Sequence, residues 1–299
     1  MSTRRAHLII NVHSGLARHH DVAGRARQVL ASHGIDASST LVHSPQQLHR
    51  AATRAAAGED DIVVAGGGDG TIAAVAHTLA GTGKTLGVLP LGTFNYFARR
   101  FDIPTDVDGA REVIAAGHER PVSIGDVNGR TFLNNASIGL YPALLRSRER
   151  VYGRVGRSQL AAYASAAVAL ARRPATLTLQ MTLDDAPVSR ETPLLFVAAN
   201  PAQLEAFGLD GYSCVDSGRL ALLVTQPVTT ARLWKLALGG WLKGFGNAQE
   251  LEAICAAETV VTLRKQRVRV AVDGEIVRLR TPLRFRLRQD ALRVLAAHT

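Results

Sequence analysis

Six consecutive residues, Gly66-Gly67-Gly68-Asp69-Gly70-Thr71, concentrate the chemistry of this 299-residue chain. Consecutive glycines allow positive φ and clear side chains from one face of a turn. Backbone N–H groups can then converge on an anion, helped by the N-terminus of a following helix. Phosphate is the natural occupant. A plain tight turn needs one or two glycines; four, with an Asp and a Thr, favour phosphate binding. A second segment, Gly87-Val-Leu-Pro90-Leu91-Gly92-Thr93-Phe94-Asn95, has the same character. Thr93 is placed to cap a helix there, and Gly92 admits a backbone or a ligand at close range. Asn11, Ser14 and Gly15 follow the first strand-like run. Two better-known fingerprints fail. A dinucleotide turn needs Gly or Ala at position 71, where Thr stands. Gly83-Lys84-Thr85 imitates the end of a P-loop, but position 78 is Thr rather than Gly, and a strand follows instead of a helix.

These loops need strands and helices to position them. Runs at His7–Val12, Ser38–Val42, Asp61–Ala65 and Thr85–Leu91 read as strands, and Asp21–His33, a segment opened by Ser44-Pro45, and Ile72–Leu79 as helices. Gly34 ends the first helix, while Ser44 and Pro45 cap the second. The β-α-β-α order predicts a parallel sheet with right-handed crossovers. Strand C-terminal ends share one edge of such a sheet, where ligands bind. Three polar, glycine-bearing loops on that edge argue for a nucleotide site.

Beyond Pro121 strand-like runs come in neighbouring pairs: 122–127 with 131–136, 176–183 with 192–199, and four more between 260 and 287. Asn128-Gly129 and Asp273-Gly274 supply hairpin turns. Helical segments at 156–172 and 230–242 interrupt them. The expected organisation is an α/β nucleotide-binding domain with a parallel sheet over 1–121. An antiparallel β-rich, sandwich-like domain covers 122–290, and a last strand at 291–299 returns to the first domain.

Composition sets outer bounds. Lys plus Arg total 35 against 25 Asp plus Glu, a formal charge of +10, and only four of the cations are Lys. The excess favours an anionic partner without choosing among phosphate, nucleic acid and acidic membrane. Aromatic content of 5% and the absence of a recognised motif count against nucleic acid. Cys214 and Cys255 cannot make a disulfide framework and lack zinc-site spacing, so they read as reduced core thiols. No apolar run reaches the ~20 residues of a membrane span. The N-terminus lacks the apolar core of a signal peptide. Trp234, Trp241 and Phe245 near Lys235 and Lys243 suit either a membrane interface or a helix core. Arg148, Arg150, Arg154 and Arg157 form a second basic stretch, and His19-His20 reads as a helix start.

At these motifs the chain resembles the diacylglycerol kinase-like lipid kinases, the family that includes bacterial diacylglycerol kinases and sphingosine and ceramide kinases. Residues 66–71 match its nucleotide signature and Pro90–Asn95 its second loop. Asn134-Asn-Ala-Ser-Ile-Gly139, Asn200 and Val272-Asp-Gly-Glu275 follow in the family's order. The resemblance implies two domains with a cleft between them, ATP and Mg²⁺ as cofactors, and a lipid substrate at a membrane surface. Localisation would be cytoplasmic, with transient peripheral association at the inner membrane face, and a homodimer is allowed. ATP would lie near Asn11, Ser14, Gly15, Gly66, Gly67, Gly68, Gly70, Thr71, Gly92, Thr93 and Asn95. Asp69 would sit beside the phosphates, through magnesium. By resemblance Asp273 is the general base and Glu275 a supporting or metal-linked carboxylate. Val12 stands where many members have Pro, and Tyr96 where an acidic residue is common. Asp216-Ser217 replaces a paired-aspartate turn that holds a cation in some members, leaving Asp216 as a weakened metal ligand. An NAD kinase shares a GGDGT-type turn and is the enzymatic rival. A non-catalytic lipid- or nucleotide-binding regulator is the other.

Overall fold

The computed structural model describes residues 4–15, 21–143, 145, 176–225 and 251–297. The chain divides into two compact units, Met1–Ile124 with Arg288–Thr299, and Gly125–Leu287.

In the first unit, strands β1 (Arg5–Asn11), β2 (Asp36–Val42), β3 (Ile62–Gly67) and β4 (Thr85–Pro90) alternate with helices α1 (Val22–Ser32), α2 (Pro45–Ala57) and α3 (Asp69–Leu79). Two further helices follow, α4 (Tyr96–Arg100) and α5 (Val107–Ala116). The strands pair in parallel in the order β2-β1-β3-β4. β3 and β4 are buried throughout, as expected of strands covered on both faces. Helix ends follow their local chemistry. The Asp21 side chain accepts from the Gly24 N–H at 2.8 Å, and the Ser44 hydroxyl accepts from the Gln47 N–H at 3.2 Å. Leu48, Ala51, Ala52 and Ala55 form the single buried stripe of α2. The strand order reverses at β1 and β3, which sends the connections after them apart and opens a crevice for a ligand.

The second unit begins within β5 (Glu119–Val127) and adds β6 (Arg130–Phe132), β7 (Asn135–Gly139), β8 (Leu177–Leu183), β9 (Ala186–Thr192), β10 (Leu194–Ala198), β11 (Leu220–Thr225), β12 (Leu251–Ala256), β13 (Glu258–Thr262), β14 (Arg267–Val272) and β15 (Glu275–Arg280). The last strand, β16 (Leu283–Leu295), pairs with β13 through residues 283–286, and its residues 293 and 294 return to the first unit beside β4. Within the second unit one six-stranded antiparallel sheet runs β12-β11-β10-β7-β14-β15. Its Ile138, Leu195, Val197, Leu222 and Val270 share a core with Leu179, Met181, Val261, Leu283 and Phe285 of the other strands. This is the sandwich-like packing the sequence predicts. Alternate residues of β10 and β11, Phe196, Ala198, Ala221 and Leu223, form a second core with Leu204, Cys214 and Val215 of two short helices, Pro201–Ala206 and Tyr212–Asp216. Both faces of these strands are therefore covered. That is why Leu220–Val224 shows no alternation of polar and apolar residues.

Three sequence expectations change. Cys214 and Cys255 are joined in a disulfide, with Cα atoms 5.1 Å apart, so they are not reduced thiols. Cys214 lies on the short helix and Cys255 on β12, and their folding onto one core brings together residues 41 apart. The partner of β8 is β9, not the run at 192–199. Asp184 and Asp185 turn that hairpin with φ of 43° and 73°, without the glycine that signals such a turn. The run at 131–136 is split between β6 and β7. The helices expected at 156–172 and 230–242 lie outside the described residues, as do the aromatic and basic residues named within and near them and His19-His20. Among the described residues no helix is long and apolar enough to cross a membrane.

Candidate functional site

Three loops of the first unit meet at the C-terminal edge of its sheet. The Asn11 side chain, at the end of β1, donates to the Thr71 hydroxyl at 3.0 Å, bridging the point where strand order reverses. Its Oδ1 accepts from the His13 N–H at 3.1 Å, and its backbone carbonyl from the Ser14 N–H at 3.0 Å. Both bonds curl the Asn11–Gly15 loop onto itself. The Leu91 N–H donates to the Gly67 carbonyl at 2.9 Å, joining the second loop to the third. Gly68 and Gly92 touch backbone to backbone: a Cβ on Gly92 would lie 2.6 Å from the Gly68 Cα. Glycine at 92 is thus a requirement of close approach rather than of φ.

Gly68 is the N-cap of α3 and contributes no side-chain hydrogen bond. A helix start whose cap brings no side chain, together with the helix dipole, suits an anion. Asp69 stands in that first turn, and its Oδ1 accepts from the Phe97 N–H at 3.2 Å, tying α3 to α4. Burial pushes its carboxyl above the usual carboxylate range, and backbone N–H groups of Phe97, Asn95 and Tyr96 offset part of that rise. A half-buried carboxylate beside an anion site fits Mg²⁺, which commonly takes one or two protein carboxylates and completes its shell with phosphate oxygens and water. Asp216 does not fit this role. It is exposed at a helix end, and among the described residues no group of three or more His, Cys, Asp or Glu side chains is arranged to hold a metal ion.

The expected residues divide into those that face outward and those that brace. Gly70 and Thr93 are exposed, Ser14 and Gly68 are partly so, and Gly66, Gly67 and Thr71 are buried. Thr93 does not cap the following helix. Asn95 holds that position, with φ of 52° and its side chain turned back to bond both the N–H and the carbonyl of Gly92 at 3.1 Å. At 4% exposure Asn95 shapes its loop from behind. Two neighbours had no role in the sequence reading. Phe94, 56% exposed, stacks on Tyr96 with ring centroids 5.4 Å apart, an open apolar surface beside the loops. Arg100 is half-buried, and that burial, with Arg120 beside it, lowers its guanidinium to about 10.

In the second unit Asp273 occupies the left-handed region, φ 46°, at the β14–β15 turn. Its carboxylate accepts three backbone N–H groups: Leu133 at 2.7 Å, Asn134 at 2.8 Å and Asn135 at 3.0 Å. Its own N–H donates to the Asn135 carbonyl at 2.9 Å. The motif beginning at Asn134 is thus clamped to the motif ending at Glu275. Behind it the Asn200 amide donates to Asn134 at 2.7 Å, and the Asn135 amide to Gln203 at 2.7 Å, in a fully buried network. Asn135 Oδ1 is buried without a partner among the described residues. Sequence reading missed Gln203; the Asn200-Pro201 cap of its helix was the available signal. Glu275 is exposed, and among the described residues its side chain has no hydrogen bond or ion pair.

Comparison with known proteins bears on these motifs. The diacylglycerol kinase catalytic domain family matches residues 5–127. The match covers the first unit, where the three glycine-bearing loops lie. A diacylglycerol kinase of Bacillus subtilis (strain 168) is 37% identical over 139 residues, covering 46% of this chain and 46% of that protein. A diacylglycerol kinase of Staphylococcus epidermidis is 36% identical over 138 residues, covering 46% and 44%. These matches span less than half the length of the relatives. The crystal structure of a diacylglycerol kinase from Bacillus anthracis str. Sterne superposes with a TM-score of 0.75 at 22% identity, covering 99% of this chain and 98% of that one. It shows that the two proteins share a fold.

Proposed function

We propose that this protein is an ATP- and Mg²⁺-dependent phosphotransferase that moves the γ-phosphoryl group to a hydroxyl of diacylglycerol or a related lipid. The observation that carries this reading is the mutual bracing of three loops, Asn11–Gly15, Gly66–Thr71 and Gly92–Asn95, at the sheet edge. Gly66, Gly67, Gly68, Gly70 and Gly92 keep the faces of these turns free of side chains, which suits the close approach of a triphosphate. Mg²⁺ held at Asp69 would neutralise charge on the phosphates. The match of residues 5–127 to the diacylglycerol kinase catalytic domain supports the lipid acceptor over NAD, as do the Pro90–Asn95 and Asn134–Gly139 motifs. The enzyme would work in the cytoplasm and visit the inner membrane face.

The two carboxylates of the β14–β15 turn take different roles in this reading. A carboxylate offers about four lone-pair sites. Asp273 commits three to backbone N–H groups, whereas Glu275 commits none within the described residues. We therefore assign proton acceptance from the lipid hydroxyl to Glu275, and to Asp273 the positioning of the turn that carries it. This reverses the order that the resemblance implies. The direct test is transfer of label from radiolabelled ATP to diacylglycerol in detergent micelles, against NAD in parallel. Label in the lipid supports the reading; label in NAD alone, or ATP binding without turnover, overturns it.

A further inference from the structure

The hairpin that ends at Asp273 and Glu275 carries a feature that the proposed chemistry leaves unexplained. β14 and β15 pair with Arg267 opposite Arg280 and Arg269 opposite Arg278. Residues two apart on a strand share a face, so all four guanidinium groups project from one side of the hairpin. All four residues are exposed, as are Arg264 and Lys265 in the loop that leads into β14. Ion pairs of this unit go to other arginines: Arg190 with Glu252, Arg219 with Asp184, Arg284 with Glu258, Arg286 with Asp126. Among the described residues none of the six cations has one. The opposite face of the hairpin is anchored, with Val270 and Val272 in the core and Val268, Val277 and Leu279 packed against it. The result is a rigid plate of positive charge.

Like charges placed directly opposite across a strand pair disfavour the pairing. Two such pairs in succession need a compensating gain. Protection of an exposed sheet edge is one candidate, since β15 ends its sheet. That demand is met by charge on β15 alone and does not call for Arg267 and Arg269 on β14. Nucleic acid is a second candidate, but residues 264–280 contain no aromatic side chain on which a base could stack. A planar array of arginines matches a planar array of phosphates, each guanidinium offering several donors to an oxygen anion.

We propose that this arginine plate docks the protein on an anionic phospholipid surface. The proposal rests on the lipid-kinase reading and names the surface through which the enzyme would reach its substrate. The plate starts about 10–13 Å from the turn, at Arg269 and Arg278, and ends about 20 Å from it, at Arg267 and Arg280.

The test is co-sedimentation with vesicles of phosphatidylcholine alone and of phosphatidylcholine with phosphatidylglycerol in equal parts. The unaltered protein should bind the anionic vesicles only, and less so as salt rises. Each charge removed should weaken binding about five-fold. Arg267→Gln with Arg269→Gln should therefore lose about 25-fold, and the quadruple variant with Arg278→Gln and Arg280→Gln several hundred-fold, on the order implied by those increments. Circular dichroism should be unchanged, because the four side chains are solvent-exposed. Activity on micellar diacylglycerol should also persist. If the quadruple variant binds anionic vesicles as the parent does, or the parent does not bind them, the proposal fails. It also fails if the parent binds duplex DNA but not vesicles. If no lipid is phosphorylated in micelles while vesicle binding still follows the arginines, the docking surface stands and the kinase reading falls.

Discussion

Asp69 and Asp273 both grip the backbone of a neighbouring loop, but they do so in different surroundings. Asp69 accepts from the Phe97 N–H at the start of a short helix, and burial raises its pKa. Asp273 accepts three N–H groups and sits on a buried amide network. The first leaves a carboxylate that a cation would stabilise. The second ties the turn that carries it to the strand motif beginning at Asn134. Backbone N–H groups converge on both, so setting separates them: Asp69 stands in the first turn of a helix beside the glycine loops, and Asp273 in a hairpin turn above a buried amide network.

The sharpest break in that comparison is Glu275→Gln. It should lower lipid phosphorylation by about 10² to 10⁴ and leave the urea midpoint almost unmoved, because an exposed side chain carries little stability. Asp273→Ala should do the reverse. Three N–H groups lose their acceptor, and stability should fall by about 3 kcal/mol or more, with activity following the folded fraction. If Asp273→Ala folds normally and is inactive, the assignment of roles is the wrong way round.

Smaller effects probe the first unit. Gly92→Ala forces a Cβ against Gly68 and should destabilise by about 1–3 kcal/mol, whereas Gly68→Ala, with its nearest contact at 3.4 Å, should have a lesser effect in the same thermal melt. Asn11→Ala removes the bond to Thr71 and should cost about 1 kcal/mol, read as a weaker nucleotide affinity in calorimetry. Asp69→Asn tests the pH response. A carboxyl whose folded pKa is raised binds more protons folded than unfolded at mildly acidic pH. Its contribution to stability is therefore most favourable at low pH and declines as pH rises from the unfolded value through the folded one. Denaturation midpoints from pH 3 to 7 should show that slope in the parent, and Asp69→Asn should flatten it.

Much of the first unit was legible because its signals are local. Strand runs, the Ser44-Pro45 cap and the glycine turns each lie within a few residues of what they control. The Thr93 expectation failed for an equally local reason: the Asn95 side chain bonds back to Gly92 and takes the capping position in a left-handed conformation. The second unit was harder. β11 is apolar on both faces because a second core lies beneath the short helices, and β9 begins after a turn made of two aspartates. Neither fact can be read within a window of sequence.

By itself the sequence determined the parallel-then-antiparallel architecture and the phosphate-friendly loops, since periodicity and glycine placement act over short range. Only the tertiary structure decided which of two neighbouring carboxylates is engaged, that Cys214 meets Cys255, and that four arginines stack on one face of a hairpin. The physical reason is register. Cross-strand partners 9 to 140 residues apart depend on how sheets assemble, and no local preference encodes that.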